Sequence, residues 1–345
     1  MGVARHFISG EEIHRNADMR VSIIVVNWNG ERFLNHCLTA LSDQTYADCE
    51  IILVDNGSSD DSVSLVKENF AAVRIVELAE NRGFTGGNAA GLNVASGEFI
   101  ALVNNDARAE RDWLEKLLQP MLNDRTIGVC ASKLVIESSG RIDSAGDGLT
   151  SAGVGFNRGH RDDRTRYSSL EPVFAACAAA ALYRREMINE VGFLDSDFFL
   201  YDEDVDLSFR AQLAGWKCIY VPAAVVYHKG NATSVRLSDT HVYYHTRNLE
   251  WVWLKNMPAG LMLRFAHHKI IQEIGSFCYI CLRHGKWSAF FRAKRDALRK
   301  APDMWRKRKA IQMRRRVPNC YIRTLLSSMV TMTFLKQKLK QLVAG

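Results

Sequence analysis

Residues 21–27 read Val21-Ser-Ile-Ile-Val-Val-Asn27, and five of these seven side chains are β-branched. Such side chains favour strands, and a mostly apolar run is typical of a strand buried on both faces of a parallel sheet. The run ends at the polar turn Asn27-Trp28-Asn29-Gly30. We therefore predict the first strand of an α/β sheet here, with a polar turn at its carboxyl end.

Helical and strand patterns alternate from this strand onward. Apolar residues at helical spacing between Phe33 and Leu41 predict a helix, and Glu50-Ile-Ile-Leu-Val54 predicts a second buried strand. Further helices are expected near 62–70 and 89–95, and further strands near 74–78 and 99–103. This alternation predicts a parallel sheet covered by helices, in which ligands bind beyond the carboxyl ends of the strands.

Polar residues follow four successive strands of this pattern, at Asn27, Asp55, 80–82 and 104–106. A single polar residue after a strand is ordinarily a turn. Four such strand ends in succession favour a binding rim along one edge of the sheet.

The rim has the chemistry of a phosphate site but neither of two familiar phosphate motifs. No GxGxxG follows the first strand, and Gly83-Phe-Thr-Gly-Gly-Asn88 is not followed by Lys and Ser or Thr. Glycines still allow a ligand to approach the backbone closely, and Arg82 offers a charge. Asp106 is a hard oxygen ligand suited to Mg²⁺ or Mn²⁺, with substrate phosphates completing the shell.

Four carboxylates fall within five residues at Asp202, Glu203, Asp204 and Asp206. Acids are common at the start of a helix, where they offset the macrodipole, and capping accounts for any one of them. Clustered like charges must otherwise be solvated, paired, bound to a cation or used in proton transfer. The cluster is therefore a second candidate site.

The stretches between these motifs allow several interpretations. Residues 140–163 are rich in Gly, Ser, Asp and Arg and predict a long loop or irregular hairpin, either a functional lid or mobile filler. The apolar run 173–183 is too short to span a membrane and predicts a buried segment. His228 follows a predicted strand and is either structural or a ligand. The eight scattered cysteines suit a reduced, cytosolic protein, and Cys278-Tyr-Ile-Cys281 predicts buried surface rather than a redox or metal site.

These motifs, in this order, resemble glycosyltransferase family 2, in particular its bacterial rhamnosyltransferase-like branch. Their ordered co-occurrence, ending near Arg247-Asn248, is more specific than any one of them. The motifs are VSIIVVNWNG at 21–30, VDNGSSD at 54–60, ENRGFTGGN at 80–88, LVNND at 102–106 and FFLYDEDVDL at 198–207.

The resemblance implies a GT-A fold, a nucleotide-sugar donor held at the strand ends, Mg²⁺ or Mn²⁺ on its diphosphate, and an inverting displacement. It also implies roles for donor-binding residues. Asp55 would contact the base or ribose with Asn27 beside it, and Arg82, Gly83 and Asn88 would lie along the ribose and diphosphate.

The resemblance assigns the chemistry to the remaining motifs. Asn105 and Asp106 are expected at the nucleotide-sugar donor, and Asp106 matches the metal-binding acid. His228 matches a position that helps to hold metal or diphosphate in some relatives. Asp204 matches the general base, Glu203 is expected to support it or contact the acceptor, and Asp206 is expected to be a helix-start residue.

Two departures from the family pattern stand out. The DxD-type motif is Asn104-Asn105-Asp106, which offers one carboxylate, so we expect donor phosphates and water to fill most of the metal shell. Cys177-Ala-Ala179 stands where the family often has a glycine, so the acceptor pocket departs from the family's pattern.

Charge divides the chain into an acidic body and a basic tail. Residues 247–345 hold 22 Lys and Arg against 4 Asp and Glu, a balance of +18, whereas residues 1–246 carry −11 within the total of +7. The basic tail interleaves aromatic and apolar clusters. Nucleic-acid binding and a solvated basic face are alternatives, but amphipathic helices on an anionic membrane surface explain the interleaving better.

The predicted organisation has three parts. We expect a disordered extension at 1–18, with Met19 a candidate start, and a GT-A catalytic domain at 19–246. The domain divides into a nucleotide-binding half at 19–107 and an acceptor half at 108–246. A basic, helical, membrane-associating region follows at 247–345.

The functional hypothesis is a metal-dependent, inverting hexosyltransferase. It would move rhamnose or a similar sugar from a dTDP- or UDP-sugar to a hydroxyl of a glycan or lipid-linked saccharide in cell-surface polysaccharide or lipopolysaccharide synthesis. The expected location is cytoplasmic, peripheral on the inner face of the cytoplasmic membrane, without nucleic acid.

Two alternatives come from other classes. A catalytically weakened membrane scaffold would fit the depleted DxD-type motif. A sugar nucleotidyltransferase would use a similar sheet, but it should show a Gly-rich, basic signature after the first strand, which residues 27–30 lack.

Overall fold

The computed structural model describes residues 20–230 and 237–328. The expectations for residues 1–18 and for Met19 lie outside the described residues, as does the part of the basic tail at 329–345. The domain boundary at residue 247 stays a prediction.

The described strands form one large sheet and one small sheet. They are β1 (Val21–Asn27), β2 (Cys49–Asp55), β3 (Arg74–Glu77), β4 (Phe99–Asn104), β5 (Ala107–Ala109), β6 (Ile127–Ile136), β7 (Ile142–Ala145), β8 (Asp147–Thr150), β9 (Gly155–Asn157), β10 (Glu171–Pro172), β11 (Ala180–Arg184), β12 (Lys217–His228) and β13 (Leu326–Ser327).

Helices follow most of the strands and dominate the C-terminal part. They are α1 (Glu31–Ser42), α2 (Ser62–Asn69), α3 (Gly83–Val94), α4 (Trp113–Asn123), α5 (Arg185–Val191), α6 (Glu203–Leu213), α7 (Asp239–Asn256), α8 (Ala259–Arg264), α9 (Ala266–Phe277), a π-helix (Cys278–Arg283), α10 (Trp287–Arg299), α11 (Ala301–Met313) and α12 (Asn319–Leu325).

The large sheet is mixed but mostly parallel in its N-terminal half. Its strand order is β10-β12-β6-β11-β4-β1-β2-β3, and β1 lies parallel to both β2 and β4. On this path β11 runs antiparallel to both β4 and β6, and the edge strand β10 runs antiparallel to β12. The predicted α/β class with a mostly parallel sheet and flanking helices is confirmed.

Both faces of the sheet are buried, as the apolar run of β1 predicted. Ile23 and Val25 pack with Leu34 and Leu38 of α1 on one face, and Ile24 packs on the other face. Glycines of α3 allow that helix to lie close to β1, since a Cβ on Gly91 would stand 2.5 Å from the Ile24 side chain. The register of β1 and β2 places Asn27 opposite Asp55, so these two residues of the predicted binding rim are neighbours.

One sequence prediction needs correction, and another is decided between its alternatives. The helix expected near 89–95 begins at Gly83, because the glycine-rich motif forms its first turns against β1. Residues 140–163 contain β7, β8 and β9, and β8 pairs antiparallel with β9, so the expected irregular hairpin is observed. β7 pairs with β6, and β8 also pairs with β13, which is far along the chain.

The C-terminal helices pack directly on the sheet-bearing part of the chain. Trp251 and Val252 of α7 join Phe198 and Phe209 in a third apolar cluster. Within the described residues, none of the helices combines the length and apolar character needed to cross a membrane.

Candidate active site

A cleft of about 1300 Å³ opens at the carboxyl ends of β1 and β4. Six of the ten predicted site residues line it, and four do not. The lining six are Gly83, Asn105, Asp106, Glu203, Asp204 and His228. The remaining four are Asn27, Asp55, Arg82 and Asn88.

The floor of the cleft holds an acid–histidine chain. Nε2 of His228 lies 3.2 Å from Oδ1 of Asp106, and its Nδ1 lies 2.8 Å from Oδ2 of Asp143. Asp143 also contacts His160 at 3.2 Å. Burial opposes the charged imidazole, but hydrogen bonds with the two carboxylates outweigh it and raise the pKa of His228 to about 10. The sequence analysis did not identify Asp143 or His160.

Asp106 and His228 fit the ligand set of a divalent cation. Nε2 of His228 and Oδ1 of Asp106 share a hydrogen bond at 3.2 Å, so a cation held by both atoms would have to replace the proton between them. One carboxylate oxygen and one imidazole would leave most of the shell to other ligands.

Behind the cleft wall, Asn27 connects the ends of three strands. Its side-chain oxygen Oδ1 accepts a hydrogen bond from the side-chain amide of Asn105 at 2.7 Å, and its Nδ2 donates to Oδ1 of Asp55 at 3.4 Å. Oδ2 of Asp55 accepts the backbone N–H of Ser58 at 3.0 Å. The predicted rim residues are therefore brought together, but Asn27 and Asp55 are buried beneath the surface that lines the cleft.

The glycine-rich segment is held by Asn56, which the sequence analysis did not single out. Its Oδ1 accepts the N–H of Arg82 at 2.9 Å, and its amide donates to the carbonyl of Gly83 at 3.0 Å. Arg82 projects to solvent beside Glu80. Asn88 is buried and donates to the carbonyl of Phe84 within its own helix.

The turn before α6 adopts an unusual backbone. Phe199, Tyr201 and Asp202 have φ values of 65°, 70° and 64°, in the left-handed region that non-glycine residues rarely occupy. Phe199 also covers Gly83, whose φ is 71° and whose added Cβ would stand 2.4 Å from the Phe199 carbonyl. The acidic motif and the glycine-rich motif therefore meet at this turn.

Two adjacent residues of α7 hold the turn in place. The buried amide of Asn248 donates to the carbonyls of Phe198, Leu200 and Tyr201 at 3.1, 2.9 and 2.8 Å. The guanidinium of Arg247 donates to the carbonyl of Phe198 at 2.8 Å. The sequence marked this pair only as the end of the recognisable motifs.

Asp204 faces the cleft from the first turn of α6. Its carboxylate accepts the N–H groups of Ala178 and Val205 at 3.0 and 2.8 Å. Burial raises the pKa of Asp204 to about 6, although these two N–H groups favour its charged form. A carboxylate with this pKa can be unprotonated near neutral pH and still accept a proton.

Asp147 and Cys177 lie beside Asp204, and the sequence analysis missed this grouping. One potential ligand atom from each of the three side chains lies within 4.8 Å of the others. Oδ1 of Asp147 accepts a 2.6 Å hydrogen bond from Ser144, and burial together with the Asp204 charge raises the pKa of Asp147 well above its usual range. The short sequence of β8 has no alternating apolar pattern, so a strand at residue 147 could not be predicted from the sequence.

The other acids of the cluster differ from one another. Glu203 is buried, and one of its oxygens lacks a hydrogen-bond partner among the described residues; burial and Asp204 raise its pKa well above the usual range. Asp202 accepts a hydrogen bond from His245. Asp206 lies in the first turn of α6 as expected, but it is fully buried and bonds to Arg210, Lys255 and Asn256, so its role is larger than that of a helix-start residue.

The helices after residue 237 complete the cleft. His241, Tyr244 and His245 line it from α7, and Arg292 lines it from α10. Tyr244 stacks on Phe199 with ring centroids 5.0 Å apart. These residues carried no motif, and only the tertiary packing reveals them.

Residues 22–192 match a protein-family model described as "Glycosyl transferase family 2". The chain belongs to glycosyltransferase family 2. The match covers the donor-side motifs and most of the strands, and it ends before the acidic cluster.

Two curated relatives extend the similarity of this family 2 chain beyond the matched range. The N-acetylglucosaminyl-diphospho-decaprenol L-rhamnosyltransferase of Mycobacterium tuberculosis is 25% identical over 265 residues, which cover 69% of this chain and 85% of the relative. EpsH of Bacillus subtilis is 25% identical over 223 residues, and the match spans 62% of either chain.

A solved structure supports the GT-A fold. The mannosyltransferase PcManGT from Pyrobaculum calidifontis, in complex with GDP-Man and Mn²⁺, superposes with a TM-score of 0.52 at 17% identity and covers 94% of this chain and 87% of its own. The predicted GT-A architecture is confirmed.

Proposed function

We propose that this protein is an inverting glycosyltransferase that moves a sugar from a nucleotide-diphosphate donor to a hydroxyl of a saccharide acceptor. One observation carries the proposal: a cation-compatible pair, Asp106 and His228, and a carboxylate with a raised pKa, Asp204, line the same cleft. Glycosyl transfer with inversion needs these two functions, leaving-group stabilisation and proton removal, within one site.

Asp204 acts as the general base in this proposal. A hydroxyl is a poor nucleophile until a carboxylate takes its proton during attack on the donor's anomeric carbon. The N–H groups of Ala178 and Val205 fix the carboxylate toward the cleft. Glu203, buried beside it, supports the base or contacts the acceptor.

Asp106 and His228 hold Mg²⁺ or Mn²⁺ in this proposal, and Asp143 orients the imidazole through Nδ1. When bound, the cation stabilises the negative charge that develops on the departing nucleotide diphosphate.

The donor nucleotide binds along the strand-end residues. Asp55 and Asn27 contact the base or ribose, with Asn105 fixing the Asn27 amide. Arg82, Gly83 and Asn88 lie along the ribose and diphosphate. Asn27 and Asp55 are buried and do not line the cleft, so their contact with the donor in this proposal requires a local rearrangement.

The relative from M. tuberculosis supports a finer assignment. We propose rhamnose or a similar hexose from a dTDP- or UDP-sugar as the transferred group, and a glycan or lipid-linked saccharide as the acceptor. This places the reaction in cell-surface polysaccharide or lipopolysaccharide synthesis.

The C-terminal helices support a peripheral position on the cytoplasmic face of an anionic membrane. Nine of the thirteen large apolar side chains that are exposed in the described chain lie between residues 263 and 298. Basic residues such as Arg283, Lys286 and Arg295 accompany them. An exposed apolar strip flanked by positive charge is typical of helices that lie in a membrane interface.

The test separates the two proposed roles. Asp204→Asn should reduce transfer at least about 10²-fold, because a general base contributes about 10²–10⁴, while donor affinity measured by calorimetry stays unchanged. Asp106→Asn should instead weaken metal-dependent donor binding. Asp60→Asn, a carboxylate that caps Ser62 away from the cleft, is the matched control.

Two outcomes would overturn the proposal. An active Asp204→Asn enzyme would remove the base assignment. A wild-type protein that binds donor yet neither hydrolyses it nor transfers sugar in the presence of Mg²⁺ or Mn²⁺ would favour a scaffold that has lost activity.

A further inference from the structure

Negative charge dominates the cleft. Six carboxylates line it, whereas Arg292 is the only Arg or Lys among the described lining residues. Acids that cluster in a buried site must be protonated, paired or bound to a cation. The cation proposed at Asp106 and His228 accounts for one part of this charge. The acids around Asp204 need a separate explanation.

Asp147, Cys177 and Asp204 offer the ligand atoms of a second cation site. They come from β8, from the segment before β11 and from the first turn of α6, and one ligand atom from each lies within 4.8 Å of the others. In a tetrahedral Zn²⁺ shell with bonds of about 2.0–2.3 Å, adjacent ligands lie roughly 3.5 Å apart. The three side chains would therefore have to close by about 1 Å around an ion.

The thiol of Cys177 determines which cation this site prefers. Thiolates favour Zn²⁺ and other soft cations, whereas Mg²⁺ favours oxygen ligands. Burial, followed by the charges of Asp147 and Asp204, raises the pKa of the Cys177 thiol well above its usual range. A cation that binds there has to displace the thiol proton, as Zn²⁺ does when a thiol coordinates it. The two sites of the cleft would therefore select different metals.

Two buried polar groups beside these three residues lack partners. Oε2 of Glu203 has no hydrogen-bond partner among the described residues, and Glu203 is only 5% exposed. The hydroxyl of Tyr183 is completely buried and equally unpartnered there. Burial and then the charge of Asp204 raise the pKa of both groups well above their usual ranges, so both lie within reach of that carboxylate. A cation would give Glu203 a partner directly and Tyr183 a partner through a bound water.

We propose that Asp147, Cys177 and Asp204 form a second cation site, which takes Zn²⁺ or a similarly thiophilic divalent cation, with Glu203 as a further ligand. An ion held there occupies the carboxylate that removes the acceptor's proton, so Zn²⁺ inhibits transfer without displacing the metal at Asp106 and His228. The inhibition rests on the proposed function, whereas the binding of the ion does not.

Titration of the full chain with Co²⁺ in excess Mg²⁺ tests the site. Thiolate ligands give Co²⁺ an intense near-ultraviolet absorption that oxygen and nitrogen ligands do not. Wild-type protein should show this band, and Zn²⁺ should abolish it by displacing Co²⁺. Cys177→Ser and Cys177→Ala should both lose the band. Asp147→Asn should weaken Co²⁺ binding at least about tenfold, since even the outer-shell partners of a metal contribute about 10–100-fold.

Two control variants locate the ion. Cys278→Ser replaces an exposed cysteine and should keep the band. Asp106→Asn alters the other cation site and should also keep it. Circular dichroism shows whether each variant is folded, and the two Cys177 variants guard against a substitution that unfolds the chain.

Each contrary result overturns the proposal. A wild-type chain without the band has no thiolate cation site, and a band that survives in both Cys177 variants belongs to another cysteine. Loss of the band in Asp106→Asn would assign the ion to the site at β4. If the band forms but Zn²⁺ does not reduce sugar transfer, the ion does not occupy the base. The effect of Asp204→Asn, measured without Zn²⁺, reports separately on the proposed function.

Discussion

Nζ of Lys255 lies 2.8 Å from Oδ1 of Asp206, and both side chains are almost completely inaccessible to solvent. Asp206 lies in the first turn of α6, which also carries Asp204, and Lys255 lies in the last turn of α7. Nζ of Lys255 also lies 2.6 Å from Oδ2 of Asp195. Asp195 forms a second ion pair with Lys307 of α11. This buried network connects the proposed base to the C-terminal helices.

Removing Lys255 should destabilise the protein strongly. Lys255→Met leaves the buried Asp206 charge with less compensation, and breaking one side of a buried pair costs about 3–5 kcal/mol. Lys286→Met is the control, because the Lys286–Asp239 pair is exposed and such pairs contribute about 0–1 kcal/mol. Urea denaturation measures both, and equal losses would contradict the assignment.

Asn248 should affect both stability and turnover. Asn248→Ala removes the side-chain donor to the carbonyls of Leu200 and Tyr201, whereas the carbonyl of Phe198 keeps the Arg247 guanidinium, and an unsatisfied buried group costs about 1–3 kcal/mol. We expect a loss of about 3 kcal/mol in the free energy of unfolding and a fall in kcat that exceeds any rise in donor KM.

Asn248→Asp separates shape from hydrogen bonding, since it keeps the size but removes the donors. It should be at least as damaging as the alanine variant. Asn69→Ala, which removes one exposed side-chain contact, is the control. Wild-type kcat in Asn248→Asp would show that the turn does not depend on this amide.

Gly83→Ala should destabilise the junction between the two motifs. The substitution adds a Cβ 2.4 Å from the Phe199 carbonyl at a φ of 71°, and strained backbone costs about 1–3 kcal/mol before any steric clash. Gly140 has a similar φ, but an added Cβ there would have no atom within 4 Å. Gly140→Ala therefore measures the free-energy cost of backbone strain without a steric clash. Comparable losses for the two variants would exclude the contact with Phe199.

Activity should fall at low pH as Asp204 becomes protonated. The base works in its unprotonated form, and the pKa of Asp204 is raised to about 6. The value of kcat should therefore increase as pH rises through about 6 and then level off, whereas donor affinity should change little. An acid limb centred near the ordinary aspartate value of about 4 would argue that another group is the base.

Membrane binding should depend on the exposed strip of α10. Replacing Trp287 and Phe291 together by Ser should abolish flotation with vesicles that contain anionic phospholipid at low salt. Trp305→Ser removes a similarly exposed aromatic outside the 263–298 stretch and should leave flotation unchanged. Wild-type protein that does not float would contradict the membrane proposal.

The N-terminal half of the fold could be predicted because its signals are local. The apolar, β-branched composition of Val21–Asn27 and Cys49–Asp55 predicts two strands. Because the two strands are parallel, their polar residues Asn27 and Asp55 lie together at one edge of the sheet. The start of α3 was harder to predict, because the glycine-rich motif is helical only where its glycines let α3 approach β1.

The other wall of the cleft could not be predicted in the same way. Asp147 lies in the short strand β8 and approaches Asp204, 57 residues later in the chain, only through the tertiary fold, and Arg292 reaches the cleft through helix packing. Asp206 looked like a helix-start acid because its partner Lys255 is 49 residues away. Long-range pairing of this kind has no local sequence signature.

The short strand β13 has a consequence for biosynthesis. Leu326 pairs with Leu149, and the carbonyl of Ser327 accepts the N–H of Ser151. Chains fold from the N-terminus as they leave the ribosome, so the sheet around β1 can form while β8 still has one open edge. Open strand edges invite aggregation. A nascent chain that stalls before residue 326 would therefore expose this edge.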